Sequence, residues 1–426
     1  MDALPAGPTE PPIWQTLRWL LRPISFMESC RRRYGDAFTV EFLGFKTPMV
    51  MLSDPDAIKA LYGNAEHGLP AGRTIALLPI LGPRSLLLLE GREHLARRRL
   101  MLPPFHGARM RAYEDTVRDV VAEDVETWPT GEPFALHPHM QKVTLEVILR
   151  AVFGVTDAAR RAALGDRLAR LLADTASAGL QLAVLLSQRF GGAGDPLRAM
   201  RERRREIDAM LDRQIAERRA DPREDILSML VAARSQDGES LTDAEIRDQL
   251  MTLLLAGHET TATGLAWTFD LLVRHPETID RARHDDAYLR AVVTESLRLR
   301  PVVPLAGRRL AAPLTVDGHV LPPGTDVTPA IWLAHTRADR YPEPFAFRPE
   351  RHLNGGQGTS AWIPFGGGVR RCIGAAFAEM EMRTAIAEIL RRRTVTAASA
   401  DAERPARRNV TFSPAGGTRV IAARRG

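Results

Sequence analysis

The chain has 426 residues, 45% hydrophobic and 26% charged, the balance of an ordinary globular protein; that excludes a disordered chain, a collagen-like repeat and a disulfide scaffold. Its 58 Lys plus Arg stand against 52 Asp plus Glu, a formal charge of +6, and since only Lys46, Lys59 and Lys142 are lysines the positive charge is almost all arginine. These arginines are scattered among nearly as many acids, which argues against nucleic-acid binding but leaves a basic patch for an acidic protein partner easy to build.

The prolines at 5, 8, 11 and 12 read as an extended lead. The apolar residues from Ile13 to Met27 are interrupted by Arg18 and Arg22 and fall short of the ~20 clean residues of a membrane span. With no secretion signal, no membrane anchor and only two cysteines, a cytoplasmic location is expected, and the cysteine count excludes a Cys-rich zinc site. Cys30 reads as a filler in an N-terminal helix. Phe38 to Leu43 and Pro48 to Leu52 read as a hairpin. From about 85 to 300 long Ala/Leu/Arg-rich segments carry apolar residues three and four apart, so this stretch is expected to be helical, with a loop at Gly192 to Pro196.

Within it, Thr242-Asp243-Ala244-Glu245 has the capping-box pattern and opens an apolar helix toward Arg274, ending before Pro276. Some thirty residues at ~1.5 Å each span about 45 Å. Midway stands Ala256-Gly257-His258-Glu259-Thr260-Thr261. A charge and two hydroxyls halfway along a buried helix need a reason. Thr260 bonding back to the Ala256 carbonyl, beside Gly257, is expected to widen the helix locally; a polar stripe facing a neighbouring helix is the plain alternative. Further on, Glu295 and Arg298 share a helix face closed by Pro301, a spacing worth only ~0.2–0.5 kcal/mol at a surface. Leu314 to Val320 and Val327 to Trp332 read as a second hairpin around Pro322, Pro323 and Gly324.

Residues 341 to 374 are irregular, Pro- and Gly-rich and far longer than an ordinary connection, as functional loops are. They hold Phe365-Gly366-Gly367-Gly368-Val369-Arg370-Arg371-Cys372-Ile373-Gly374, followed by an Ala-rich helix through roughly Leu390. The glycines permit a tight turn at positive φ. Arg370 is a cation two residues from the cysteine, and the helix start beyond Cys372 favours a thiolate. A thiolate held by amides, with a cation nearby for carboxylates, is what an iron porphyrin needs on its proximal side. A Gly-rich turn around a buried structural cysteine is the plain alternative.

Here the sequence resembles the cytochrome P450 family, whose heme signature is Phe-x-x-Gly-x-Arg-x-Cys-x-Gly. Phe365, Gly368, Arg370, Cys372 and Gly374 fill every position, and other family signatures follow in family order along essentially the whole chain. The resemblance implies a mainly α fold with small β-sheets. It implies one domain over residues 1–426: an N-terminal lead (1–35), β-rich parts (36–53 and 305–335), a helical part (85–300) and the heme-binding loop (341–374). Heme b, iron protoporphyrin IX, is expected between the long oxygen-activating helix and that loop, with Cys372 as metal ligand and Phe365, Gly366 and Gly374 around it.

Ala256, Gly257, Glu259 and Thr260 match the family's Ala-Gly-x-Glu-Thr-Thr pattern. That implies a dioxygen site beside Ala256 and Gly257 and a proton relay through Glu259 and Thr260, with His258 pointing away from the iron. Glu295, Arg298 and Arg351 match the family's ion triad, His352 replacing an aromatic residue. His94, Arg98, Arg308 and Arg370 match propionate-pairing positions. Arg97 and Arg99 are expected to point elsewhere and, with Arg371, to form a docking patch for an electron donor.

Variable substrate-contact segments fall on Gly63 to Leu89, 175 to 196, Val302 to Ala306 and the turn near Pro414 to Gly417. The apolar run Ile75, Ala76, Leu77, Leu78, Ile80 and Leu81 implies an apolar pocket for a fatty acid, terpenoid, steroid or polyketide. The implied reaction inserts one oxygen atom from O2 into such a substrate. The short stretch after Cys372 leaves no room for a fused redox domain, so a ferredoxin and its reductase are the expected donors to a monomer. A peroxide-driven peroxygenase and a heme gas sensor are the alternatives.

Overall fold

The computed structural model describes residues 4–43, 45, 47–70, 78–107, 109–176, 197–235, 238–353, 361–408 and 410–425. These form two compact units. The loop expected at 192–196, residues 71–77 of the substrate-contact segment expected at Gly63 to Leu89 (with Ile75, Ala76 and Leu77), and residues 177–196 of the one expected at 175 to 196 lie outside the described residues.

The first unit comprises 1–74, 267–375 and 405–413. Its sheet has strands Ala37–Val40, Met49–Leu52, Asp326–Pro329 and Arg308–Arg309 in that spatial order. The first two form an antiparallel hairpin pairing Ala37 with Leu52, while Met49–Leu52 runs parallel to Asp326–Pro329. One side buries Val50, Leu52, Ile58, Leu61, Val327 and Ile331; the other buries Phe26, Met27, Phe38, Met51 and Leu333. Side chains that alternate onto two buried faces are why the central strand Met49–Leu52 is apolar throughout. Cys30 belongs to the second cluster, where burial pushes its thiol up to about 11.

The second expected hairpin differs. Leu314–Val316 pairs instead with His319–Leu321, and Asp326–Pro329 joins the larger sheet. Asp317 and Gly318 both have positive φ (48° and 76°), the geometry of a two-residue hairpin turn for which Asp-Gly is suited. Pro322 to Gly324 redirects the chain between sheets rather than closing a hairpin.

The second unit comprises 75–266, 376–404 and 414–426. It holds the helices Gly91–Met101, Arg109–Val125, Leu136–Val147, Ala158–Ala176 and Arg198–Ala220, with a sheet of Pro133–Ala135, Arg419–Arg424 and Arg393–Ala397. The stretch expected as one helical part, 85–300, is therefore divided at Ala266. Helices Pro276–His284 and Asp286–Leu299 belong with the first unit. The long helix Asp243–Leu272 is capped as expected: Glu245 N–H donates to Thr242 Oγ1 at 3.3 Å, and Thr242 N–H to Glu245 Oε2 at 2.8 Å. It stays α-helical without a break through Ala256 to Thr261, so the widening expected there does not show in its helical pattern.

Candidate active site

Cys372 stands exposed just before helix Ala375–Arg392, unlike a buried structural cysteine. Its loop is shaped by the backbone. Cys372 N–H donates to Phe365 O at 2.9 Å, Gly366 N–H to Ile363 O at 3.0 Å, and Arg371 N–H to Gly368 O at 3.0 Å. Gly366 and Gly368 have φ of +67° and +63°. A Cβ on Gly368 would fall 2.2 Å from the Tyr62 carbonyl oxygen, and one on Gly367 would fall 2.3 Å from the Tyr62 ring. Helix Pro55–Gly63 therefore presses directly on the loop, and only glycine permits that approach. Arg308, buried in its short strand, donates to Gly367 O at 3.3 Å and to Gly307 O at 2.9 Å, with its guanidinium 5.1 Å from the Tyr62 ring.

Beneath the loop lies a buried ion cluster. Arg298 grips Glu295 with two parallel bonds, Nε to Oε2 at 2.7 Å and Nη2 to Oε1 at 2.8 Å, both side chains fully buried. Arg351 Nε adds a bond to Oε1 at 3.0 Å, the Arg348 amide another at 3.0 Å, and His352 Nε2 donates to Oε2 at 2.8 Å. Burial alone would raise the Glu295 pKa, but the bonds from Arg298, His352 and the Arg348 amide overcome it and hold the carboxyl at about 2. The three residues matched to the triad are thus brought together. His352, read in the sequence only as a substitute for an aromatic residue, is a fourth member.

His335 was missed altogether. Fully buried, its Nδ1–H donates to Arg298 O at 3.0 Å, while Nε2 accepts from Ile363 N–H at 2.9 Å. Burial pushes its pKa down to about 3, so the ring is neutral and this tautomer is fixed. It links the ion cluster to the residue where the cysteine loop begins. A lone histidine after an apolar stretch gives no sequence signal for such a role.

In the long helix of the second unit, Ala256 is exposed and Gly257 and Thr260 are part-exposed, although Leu254 and His258 are buried. Thr260 Oγ1 donates back to Ala256 O, as the spacing suggested. The polar-stripe alternative holds for the other face. Gln141 Nε2 donates to Glu259 Oε2 at 2.6 Å, while Oε1 accepts from Thr263 at 3.4 Å and lies 3.7 Å from His137 Nε2. His258 packs toward the same neighbour, helix Leu136–Val147, and burial drops its pKa to about 4. Gln141, His137 and Thr263 are polar partners that no motif marks.

The cations divide. His94 is buried and Arg98 half-buried on helix Gly91–Met101. Arg97 does not join an exposed patch: it is buried and bonded to Glu245 at the start of the long helix, because its position faces the protein interior. Arg99 and Arg371 are exposed.

Residues 5–417 match the model of the family described as "Cytochrome P450". The putative cytochrome P450 135B1 of Mycobacterium tuberculosis is 42% identical over 98% of this chain and 91% of its own length. The putative cytochrome P450 137 of the same species is 40% identical over 91% of this chain and 83% of its own. Among solved structures, a retinoic acid bound cyanobacterial CYP120A1 aligns over all of both chains with TM-score 0.85 at 24% identity. The heme domain of cytochrome P450DA gives TM-score 0.85 at 21% identity, over 100% of this chain and 99% of that one. These two likenesses speak for the fold. Matched to the family model from residue 5 to residue 417 and 42% identical to a relative over 98% of its length, the chain belongs to the cytochrome P450 family of heme-thiolate monooxygenases.

Proposed function

We propose that the chain inserts one oxygen atom of O2 into a C–H or C=C bond of an apolar small molecule, a fatty acid, terpenoid, steroid or polyketide. A ferredoxin and its reductase supply two electrons, and the second oxygen atom leaves as water with two protons. The observation that carries this is the accessible Cys372 thiol on a rigid loop. The residues fit heme b: Cys372 as the iron ligand, and Arg308, Arg370, His94 and Arg98 as candidates for its two carboxylates. When bound, heme supplies the redox chemistry of oxygen activation.

The protein's own part is binding and proton handling. Ala256 and Gly257 present little side-chain bulk, and the Thr260 hydroxyl, already satisfied as a donor, keeps its lone pairs for an incoming proton donor. Glu259 carries a proton-accepting carboxylate one residue away. Its bonds to Gln141 and Thr263 hold it against helix Leu136–Val147, so delivering a proton toward Thr260 requires exchanging at least one of them. The buried Ile80 and Leu81 support an apolar substrate, whose affinity comes mainly from desolvation.

The test has two stages. The reduced carbonyl adduct should absorb as a thiolate complex, not as a histidine-bound globin. Turnover of apolar compounds that shift the iron to high spin should then depend on NADPH with a ferredoxin system. Product formed equally well with peroxide alone would favour a peroxygenase, and absence of product with either oxidant would favour a gas-binding role.

A further inference from the structure

Helix Asp286–Leu299 ends at Arg300, immediately before Pro301. Among the described residues the Arg300 guanidinium has one hydrogen bond, Nη1 to Leu299 O at 3.2 Å, and no ion pair. Its Nε is sealed from solvent without an acceptor. The acid that most influences it, Asp270, is bonded at 3.1 Å to Arg274, itself a second positive charge. A guanidinium has five donors and cannot shed its charge, so this one, whose carbon also lies 5.3 Å from the Trp267 ring, is poorly served in hydrogen bonds. Burial destabilises its charged form, and the site would gain from an anion.

Arg300 lines a cavity of about 230 Å³, wholly within the first unit, together with Ile24, Trp267, Pro301, Trp332 and Phe412. Its walls are fixed: Trp267 Nε1 donates to Phe412 O at 2.7 Å, Phe412 N–H to Val302 O at 2.8 Å, and Trp332 Nε1 to Glu28 Oε1 at 3.5 Å. An apolar cavity of ~150 Å³ holds a benzene, so this one has room for a ring and a short acid arm. Three aromatic walls suit a flat ring, and a guanidinium pairs with a carboxylate through two parallel bonds.

We propose that this cavity is a second binding site, separate from the heme and its substrate, for a small aromatic carboxylate, the ring between Trp267, Trp332 and Phe412 and the carboxylate on Arg300. None of its walls belongs to the cysteine loop or to the Ala256–Thr261 stretch.

The test uses the heme-loaded full chain with 4-fluorophenylacetate as the probe, followed at once by fluorine NMR and by the heme absorption spectrum. Saturable binding at sub-millimolar to low-millimolar concentration is expected, with the heme spectrum unchanged and binding unaffected by imidazole saturating the iron. The neutral amide analogue should bind at least about tenfold more weakly, as should Arg300→Gln; a tenfold loss corresponds to ~1.4 kcal/mol. If Arg300→Gln does not fold, Ile24→Trp, which fills the cavity, should abolish binding, and the amide comparison needs no variant. The proposal is overturned by absence of saturation at about 10 mM, by displacement with imidazole or a spin-state change (binding in the substrate pocket), or by equal affinity of acid and amide.

Discussion

Replacing Glu295 tests the support of the cysteine loop most directly. In the folded chain this fully buried carboxylate answers Arg298, Arg351, His352 and the Arg348 amide together. A pKa of about 2 against the ordinary 4.5 means that folding favours the ionised form by ~3 kcal/mol at neutral pH, at 1.36 kcal/mol per unit. Breaking a buried pair by removing one partner costs ~3–5 kcal/mol, in agreement. Glu295→Ala should therefore unfold at clearly lower urea and purify with little heme, read as the Soret-to-280 nm ratio. Glu295→Gln should lose less, since it keeps an acceptor and Arg298 retains bonds to His335 O and Pro344 O at 2.8 and 2.7 Å. The pH dependence has a fixed sign. Because the folded pKa is depressed, the stabilisation is complete above about pH 4.5 and disappears as pH falls toward 2, and the Ala variant should lack that acid-side slope. Wild-type urea midpoint and heme content in Glu295→Ala would refute the reasoning.

Four further outcomes are expected. His335→Ala should strand the Ile363 amide and cost ~1–3 kcal/mol in urea unfolding, with heme lost more readily to apomyoglobin than from wild type. Gly368→Ala needs both a positive φ and a Cβ 2.2 Å from the Tyr62 carbonyl, so it should purify without the thiolate-type carbonyl spectrum, whereas alanine at the unhindered surface Gly63 should keep it. Gln141→Leu frees the Glu259 carboxylate from its shortest bond, and product formed per NADPH consumed should change while substrate affinity, from the spin-state titration, should not. Glu381 is buried with no partner for Oε1 among the described residues, and burial raises its pKa to about 8. Its folded pKa lies above the unfolded one, so its contribution is favourable at low pH and is lost as pH rises from 4.5 to 8; Glu381→Gln should be relatively more stable at pH 9 than at pH 5, measured by thermal unfolding at both.

The cysteine loop was legible because its requirements are covalent and local. A loop pressed against Tyr62 at positive φ must be glycine, so the residue types announce the geometry. The pairing of Glu295 with Arg298 was legible from spacing, and its extension to Arg351 from family order. What escaped notice depends on packing between distant segments. Arg97 resembles its exposed neighbour Arg99 in sequence, yet its position on helix Gly91–Met101 turns it inward to Glu245, 148 residues away. His335 and Gln141 act through neighbours 28 and 118 residues away, distances over which no periodicity carries information. The misassigned hairpin has a different cause. Only the Pro322-Pro323-Gly324 signal was read, whereas Asp317-Gly318, whose paired positive φ values close the actual hairpin, lies inside the segment read as strand.

The supports of the loop also share an electrostatic logic that bears on pH. Glu295 at about 2 and His335 at about 3 keep one charge state from pH 4 to 9. His352 meets Glu295 through Nε2–H, donated to Oε2 at 2.8 Å. Arg298 and Arg351 direct donors at backbone carbonyls as well as at the carboxylate, and Arg308 directs donors at backbone carbonyls; those carbonyl acceptors do not titrate. The geometry of the cysteine loop should accordingly be insensitive to pH across this range. A bell-shaped activity profile between pH 5 and 8 should therefore leave the thiolate-type carbonyl spectrum unaltered, its origin lying in proton delivery. A carbonyl spectrum that converts with the same midpoint as activity would show instead that the loop's supports are the titrating element.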